Sequence, residues 1–266
     1  MKKIRLDQLL LQRSLAPSRE KAQALILAGQ VLVDSCPACK PGQLVSPEAE
    51  ISILSPLPYV SRAGTKLEQG LKHFGIEVRD KIALDIGCST GGFTDCLLQA
   101  GARRVYALDV NIKQLDWKLL QDQRVITIEK NARYLQPEDL PEKPDIVTVD
   151  VSFISVLKIL PAVRRVMDSG DLLVLIKPQF EAGRHQVGKK GIIRDSRIHR
   201  EVLEKVLTGC LQTGFAVKGL LACETVGQKG NQEFLAWLGI NSESWSQEEL
   251  KRKIQETVED ERREKN

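Results

Sequence analysis

The 266-residue sequence contains no uninterrupted apolar run near the ~18 residues that a transmembrane helix requires. A leucine patch occurs near the start of the chain, but charged and amide side chains interrupt it too often for the apolar core of a signal peptide. We therefore expect a cytoplasmic protein. The length of the chain and its apolar fraction of 42% predict one large or two smaller domains with a full core.

Cysteine and histidine, the usual zinc ligands, are also sparse, with six and three residues in the chain. Cys36 and Cys39 form the only close pair among six cysteines, whereas a structural zinc site commonly needs two such pairs. His185 and His199 have no ligand-like spacing to cysteines or acids, so we interpret them as RNA-facing or surface residues. We predict no metal site, and we expect the cysteines to be reduced thiols in the cytosol.

The formal charge of the chain is only +4, so basic character must be sought in local clusters. Residues 1–30 hold six Lys or Arg and two acidic residues. Four of the basic side chains could share one face and contact phosphates, namely Arg5, Arg13, Arg19 and Lys21. An ordinary solvated basic face is the alternative interpretation of this cluster.

The same region has the pattern of a small α+β module. An amphipathic helix begins at Arg5, Ser18 caps a second helix that ends at Gly29, and strands follow at 31–33 and 51–54. The motifs RLDQLL, SREKA and AGQVLVD occur in this order and resemble those of the S4 RNA-binding domain. The resemblance implies that residues 1–57 bind RNA.

The stretch IALDIGCSTGGFTD, residues 82–95, has the pattern of a buried strand, a glycine-containing loop and the start of an apolar helix. Ligands of open α/β sheets bind at such turns, where glycine allows a close backbone approach. The spacing matches neither the dinucleotide fingerprint nor the P-loop, and a turn without a ligand is the alternative. The stretch resembles motif I of the methyltransferases that use S-adenosylmethionine (AdoMet), which implies AdoMet as the cofactor. The residues implied to hold it here are Asp85, Gly87, Ser89, Gly91, Gly92 and Phe93.

Seven strand-like segments occur after the proline-containing segment at residues 55–59. They are residues 82–85, 105–110, 125–129, 146–151, 172–177, 215–224 and 234–239. Helical stretches separate most of them, which predicts an α/β fold with a Rossmann-like, mostly parallel seven-stranded sheet between helices. The last two segments have no helix between them, so we expect an antiparallel hairpin at one edge.

Polar side chains end several of these strands and should meet at one rim of the sheet. Asp109, at the end of the second strand, suits the ribose hydroxyls of an adenosyl group. Asn131 and Ala132 follow the third strand and could border the adenine. The fourth strand ends at Asp150 and the fifth at Lys177, and charged residues are rarely buried unless they are paired or functional.

Asp150 and Lys177 are the pair most suited to catalysis. The apolar run before Lys177 removes it from water, which favours a neutral amine that can act as a base. Asp150 would orient this amine, and a second nearby cation, for which Lys66 is the candidate, would favour its neutral form. A structural ion pair at the edge of the sheet is the alternative.

Four further elements resemble the TlyA family, whose catalytic domain is FtsJ-like: SRAGTKL, KPQFEAG, GIIRD and GNQEF. The resemblance implies a Lys-Asp-Lys-Glu catalytic set, here Lys66, Asp150, Lys177 and Glu233. It also implies AdoMet-dependent methylation of a ribose 2′-hydroxyl, on cytidine, in ribosomal RNA or ribosomal subunits. The domains that it implies are an S4 domain at 1–57, a linker at 58–61, a methyltransferase domain at 62–242 and a charged helix or tail at 243–266.

Residues 178–200 are predicted to form a long polar loop whose basic side chains suit an RNA backbone. The RNA contacts expected outside the N-terminal cluster are Arg62, Arg184, Lys189, Lys190 and Arg194. The tail after Asn241 alternates acids and bases, which predicts a solvated helix or a frayed end.

Two other functions compete with methyl transfer. A non-catalytic RNA-binding or ribosome-assembly protein could retain the fold, but we would expect it to lack one of the four catalytic side chains, and all four are present. Members of the TlyA family are also labelled hemolysin A. A pore-forming activity would need a membrane-competent segment, and the sequence contains no convincing one.

Overall fold

The computed structural model describes residues 3–27, 30–38, 40–53, 58–183, 186–188, 191–227 and 230–263. The chain divides into two compact units, residues 1–57 and residues 58–266. Within the described ranges, no helix is both long and apolar enough to cross a membrane.

The first unit is a small α+β module. Its elements are β1 (Ile4–Arg5), α1 (Leu6–Gln12), α2 (Arg19–Leu27), β2 (Val31–Val33), β3 (Cys36–Pro37), β4 (Leu44–Val45) and β5 (Ile51–Ile53). Strands β3, β2 and β5 form an antiparallel sheet, and β1 pairs with β4. Leu6, Leu9 and Leu10 of α1 pack with Ala22 and Ile26 of α2 in its core, because the predicted helical period places them on one side of each helix.

The second unit contains the seven-stranded sheet. Its strands are β6 (Ile82–Ile86), β7 (Arg104–Asp109), β8 (Val125–Glu129), β9 (Ile146–Val149), β10 (Asp171–Ile176), β11 (Ala216–Ala222) and β12 (Phe234–Gly239). Its helices are α3 (Arg62–Phe74), α4 (Gly92–Gln99), α5 (Trp117–Leu120), α6 (Leu160–Val166), α7 (Pro178–Glu181), α8 (Ser196–Gln212) and α9 (Gln247–Arg263). All seven predicted strands occur, with ends that differ by at most two residues.

The order of strands across the sheet is β11-β12-β10-β9-β6-β7-β8. Strands β10, β9, β6, β7 and β8 run parallel, whereas β12 is antiparallel to both β10 and β11. The predicted antiparallel hairpin at one edge is therefore confirmed. The chain order reverses between β6 and β9, and ligands of such sheets bind in the crevice at the carboxyl ends of the strands there.

Apolar clusters cover both faces of the sheet. Successive side chains of a strand point to opposite faces, so Leu172 and Val174 pack in one cluster and Leu173 and Leu175 in the other. Helices α6, α8 and α9 contribute to the first cluster, and α3 and α4 to the second. This arrangement confirms the predicted α/β class.

Two expectations about polar segments are wrong in part. Residues 178–200 are not one continuous loop, because α7 occupies Pro178–Glu181 and α8 begins at Ser196. The charged tail forms a helix as expected, but it is not simply solvated, because Leu250, Ile254 and Val258 of α9 are buried in the apolar cluster on one face of the sheet. These three residues recur every four positions, so one apolar stripe docks the helix while its charges face solvent.

Candidate active site

The glycine loop connects β6 to α4 through positions where a side chain has no room. Gly87 has φ +84°, and a Cβ on it would lie 2.5 Å from the carbonyl oxygen of Asp150. A Cβ on Gly92 would lie 2.2 Å from Ser61 Oγ. The loop is thereby packed closely between the end of β9 and the segment that enters α3.

Gly91 differs from the other two glycines in what it faces. It has φ +96°, and a Cβ there would meet Leu119 at 2.2 Å. Gly87, Ser89, Gly92 and Phe93 line a cavity at the carboxyl ends of the strands, whereas Gly91 is absent from the described lining. Its place in the turn before α4, rather than contact with a ligand, therefore requires glycine.

Asp85 lies beneath this loop and is fully buried. Its carboxylate accepts hydrogen bonds from Thr94 Oγ1 at 2.7 Å and Thr148 Oγ1 at 2.9 Å. Burial raises the pKa of Asp85 to about 7, against the lowering effect of the two hydroxyl groups. Asp85 is not part of the described cavity wall, which differs from the direct ligand contact that we expected. It fastens the base of the loop to α4 and β9 instead.

Asp109 lies on the cavity wall and also holds the loop. Its Oδ2 accepts from the backbone N–H of Ser89 and its Oδ1 from that of Asn111, both at 3.0 Å. A carboxylate has about four acceptor positions, so lone pairs remain for hydroxyl groups of a ligand. Asn131 and Ala132 line the same cavity.

Cys88 also lines the cavity but has the properties of an inert thiol. Burial raises the pKa of the Cys88 thiol, and the carboxylates of Asp85 and Asp109 raise it further. The thiol is therefore neutral near pH 7 and unsuited to nucleophilic attack.

Lys177 and Asp150 form an ion pair where β10 and β9 end. Lys177 Nζ lies 2.6 Å from Asp150 Oδ1, and the two side chains are only 13% and 16% exposed. Lys177 Nζ also donates to Ser152 Oγ at 2.9 Å. Neighbouring parallel strands thus bring the predicted base and the predicted orienting acid into direct contact.

Lys66 and Glu233 form a second, more deeply buried pair. Lys66 Nζ donates to Glu233 Oε2 at 2.5 Å, and the side chains are 8% and 3% exposed. Lys66 projects from α3, and Glu233 immediately precedes β12. A Cβ on Gly227 would lie 2.0 Å from Glu233 Oε1, so this neighbour must be small.

One cavity of about 740 Å³ joins most of these groups. Its wall includes the four residues of the predicted catalytic set and most of the predicted cofactor residues. These are Lys66, Asp150, Lys177, Glu233, Gly87, Ser89, Gly92, Phe93, Asp109, Asn131 and Ala132. The volume lies within the ~300–1,000 Å³ typical of small-molecule sites.

Several residues of the wall escaped the sequence analysis. Ser152 and Phe153 follow Asp150, and Gln179 and Phe180 follow Lys177. The rings of Phe153 and Phe180 lie 4.9 Å apart, although Phe153 is 91% exposed. Their adjacency in sequence to the predicted catalytic residues was the available signal.

The predicted RNA contacts have different surroundings. Arg5 and Arg19 both bind the buried carboxylate of Asp7, and the bonds from Arg5 hold the pKa of Asp7 well below its usual range. Arg13 donates to the carbonyl oxygens of Ala49 and Pro47. All three arginines therefore make hydrogen bonds within the first unit, although their side chains remain accessible at its surface. Lys21 and Arg194 are exposed, and Arg62 lines the cavity.

The remaining predictions fall in two groups. The prediction that His199 lies at the surface is wrong, because His199 is 3% exposed and its ring packs edge-on against Phe234 at 5.5 Å. Cys36 is exposed. The predictions for Arg184, His185, Lys189, Lys190 and Cys39 concern positions outside the described residues. In the part of the chain that the structure describes, no group of three or more His, Cys, Asp or Glu could hold a metal ion.

Comparisons with known proteins agree with this architecture. The FtsJ-like methyltransferase family matches residues 59–240, and the S4 domain matches residues 4–51. A candidate rRNA methyltransferase of Bacillus subtilis is 46% identical over 96% of this chain and 94% of its own length. The 16S/23S rRNA (cytidine-2′-O)-methyltransferase TlyA of Mycobacterium tuberculosis is 40% identical over 89% of this chain and 90% of its own length.

A solved structure gives the same result for the fold. A protein from Streptococcus thermophilus described as a candidate hemolysin is 41% identical, with a TM-score of 0.76 over 100% of this chain and 99% of that chain. The resemblance drawn from the sequence motifs is thereby confirmed. The chain belongs to the TlyA family, in which an N-terminal S4 domain precedes an FtsJ-like methyltransferase domain.

Proposed function

We propose that this protein transfers the methyl group of AdoMet to a ribose 2′-hydroxyl of ribosomal RNA, on cytidine, in the cytoplasm. The single observation that carries the proposal is the shared cavity. Two buried Lys–acid pairs line the same cavity as a glycine loop and an acid suited to a nucleoside. The relative from Mycobacterium tuberculosis, whose name states this activity, supports the choice of acceptor.

The residues of the cavity fit an adenosyl ligand. Gly87 and Gly92 have no side chains, so a ligand can approach the backbone of the loop closely. Asp109 retains free lone pairs for ribose hydroxyls. Asn131 and Ala132 would border the base. When bound, AdoMet supplies a methyl group that its sulfonium has already activated.

The four charged side chains have different roles toward the ribose 2′-hydroxyl that accepts the methyl group. In its neutral form, Lys177 takes the proton from the ribose 2′-hydroxyl, and Asp150 orients the amine. Lys66 and Glu233 neutralise each other and hold the ribose in place. Alignment of the hydroxyl oxygen supplies most of the acceleration, because the methyl donor needs no further activation.

The first unit would bring the RNA to this cavity. The basic side chains of Arg5, Arg13, Arg19 and Lys21 would contact phosphates, which position an RNA without reading its sequence. In the second unit, the exposed Arg194 and the cavity residue Arg62 would also contact the RNA.

The experiment that tests the proposal incubates the protein with radiolabelled AdoMet and purified ribosomal subunits. We expect label in ribosomal RNA with wild-type protein and at least ~100-fold less with Lys177→Ala, in line with the loss of a general base. The exposed Lys251→Ala on α9 is the matched control and should retain full activity. Absence of label from both subunits with wild-type protein would refute the function.

A further inference from the structure

The predicted base contacts a residue that the four-residue catalytic set leaves out. Lys177 Nζ lies 2.6 Å from Asp150 Oδ1 and donates to Ser152 Oγ at 2.9 Å. Asp150 and Ser152 both follow β9, two positions apart, and Lys177 follows the adjacent parallel strand β10. All three side chains line the cavity. The hydroxyl group of Ser152 is therefore part of the immediate surroundings of the amine.

The stereochemistry of the amine gives this contact a consequence. A lysine ammonium has three N–H bonds in tetrahedral directions, and it cannot accept a hydrogen bond. Ser152 Oγ takes one of these directions through a hydrogen bond, which fixes the torsion of the amine about its last C–N bond, whereas Asp150 Oδ1 lies at ion-pair distance without a hydrogen bond. After loss of a proton, the lone pair of the amine occupies one of the two remaining directions. With the ion pair to Asp150 alone, no hydrogen bond would fix this torsion, because a Coulomb attraction between charges sets no N–H direction.

We propose that Ser152 is a positioning residue that, with Asp150, directs the lone pair of the neutral Lys177 amine toward the substrate hydroxyl. The inference rests on the proposed function, since it specifies how the base is held for proton transfer. Lys177 Nζ accepts the proton of the 2′-hydroxyl along a free direction and becomes the ammonium. The hydroxyl oxygen keeps the electron pair of its O–H bond and forms the new bond to the methyl group, whose bond to the sulfonium sulfur breaks and leaves its electron pair on that sulfur as a neutral thioether.

The loop that carries Ser152 is fastened on its carboxyl side. Phe153 has φ +64°, and its ring packs against that of Phe180 at 4.9 Å. Glu181 Oε1 accepts from the backbone N–H of Val156 at 2.7 Å, and Glu181 is itself 5% exposed. These contacts tie residues 150–156 to the segment that begins at Lys177. The position of the Ser152 hydroxyl is therefore set by the fold and not only by its own bond to Lys177.

Ser152 is also suited to a clean test. It is exposed, so that its replacement by alanine removes a hydroxyl group without opening a cavity in the core. Ser155, in the same loop, provides a matched control, because its Oγ accepts from the backbone N–H of Leu157 at 3.3 Å and it lies outside the described cavity wall. A general effect of loop stability would appear in Ser155→Ala, whereas an effect on the amine would not.

The experiment compares Ser152→Ala, Ser152→Thr and Ser155→Ala in steady-state methyl transfer to ribosomal subunits. We expect Ser152→Ala to lower kcat about tenfold, the factor that one hydrogen bond to a charged group supports, with KM for both substrates changed less than about twofold. Ser152→Thr retains the hydroxyl group and should restore kcat to within about twofold of wild type. An unchanged kcat in Ser152→Ala, or an equal loss in Ser155→Ala, would overturn the proposal.

A second readout separates this inference from the proposed function. Labelling of Lys177 by an amine-reactive acylating reagent, followed by peptide mass spectrometry, needs neither RNA nor AdoMet. We expect labelling to become about threefold faster or more in Ser152→Ala, because the amine loses its hydrogen bond to the Ser152 hydroxyl group, and to be unchanged in Ser155→Ala. Equal labelling rates in wild type and Ser152→Ala would overturn the inference even if methyl transfer were established. Altered labelling without any methyl transfer would refute the proposed function alone.

Discussion

Lys66 Nζ donates to Glu233 Oε2 at 2.5 Å although 167 positions separate the two residues along the chain. The pair connects the first helix of the second unit to the residue that immediately precedes β12. Both side chains are more than nine-tenths buried, so each charge depends on the other for compensation.

We therefore expect Glu233→Leu to lower the free energy of unfolding by about 3–5 kcal/mol, because it leaves the ammonium of Lys66 buried without a partner. The double variant Lys66→Met, Glu233→Leu should recover most of this loss. It should nevertheless remain inactive, because both charged groups belong to the proposed site. Denaturant unfolding of the single and double variants measures the stability, and methyl transfer measures the activity. Additive losses in the double variant would show that the two charges do not compensate each other.

Asp109 should contribute directly to cofactor affinity. Replacement by alanine removes the acceptor of the Ser89 and Asn111 N–H groups and the acid expected at the ribose, so we expect AdoMet binding to weaken by about 10- to 100-fold. Isothermal titration calorimetry measures this change. Glu129→Ala is the matched control, since Glu129 is exposed and pairs in register with Asp109 on the neighbouring strand β8. Equal affinity of Asp109→Ala and wild type would contradict the assignment.

Asp85 should make the stability of the second unit depend on pH. Its pKa is raised from an ordinary 3.8 to about 7 by burial, so the folded state retains a proton that the unfolded state releases. Stability from this group therefore falls as pH rises from about 4 to about 7, by about 2–4 kcal/mol in total, and changes little above that range.

The variant Asp85→Asn isolates this effect. The amide can still bond to Thr94 and Thr148, but it does not titrate. Thermal unfolding at pH 5.5 and at pH 8 should show wild type losing stability relative to Asp85→Asn as the pH rises. A constant difference between the two proteins over this range would contradict a buried, titrating Asp85.

The charged C-terminal helix should behave as part of the core. Ile254 of α9 is 3% exposed, so Ile254→Ala should cost about 2–5 kcal/mol of the free energy of unfolding. Lys251→Ala, on the exposed side of the same helix, should cost less than about 0.5 kcal/mol. Urea denaturation measures both losses. Equal, small losses would contradict the burial of α9 and would favour the solvated tail that the charge pattern suggested.

The strands and their polar ends could be predicted because apolar runs of strand length stop at chemically distinctive residues. Asp109, Asp150 and Lys177 all reach the cavity wall from such ends. Asp85 does not, because its side chain turns inward to Thr94 and Thr148, and the direction of one side chain at the end of a strand depends on its neighbours in space. Periodicity alone does not contain that information.

Other features could not be predicted reliably from local sequence patterns. The Lys66–Glu233 contact is set by the packing of α3 against the sheet, and only the family resemblance related the two residues. The apolar stripe of α9 was visible in its spacing of four, but the density of charges around it concealed the signal. His199 was misplaced because a lone histidine in a basic segment has no spacing that distinguishes surface from core.

The central claim, that Lys177 takes a proton from a ribose hydroxyl, is tested most directly by locating the transferred methyl group. Ribosomal RNA treated with wild-type protein or with Lys177→Met is digested to nucleosides, and mass spectrometry assigns the methyl group to the base or to the ribose. We predict 2′-O-methylcytidine with wild-type protein, and at least ~100-fold less of it with Lys177→Met, which keeps most of the length of the side chain but has no amine. A methyl group on a base, or undiminished 2′-O-methylcytidine with Lys177→Met, would contradict the account.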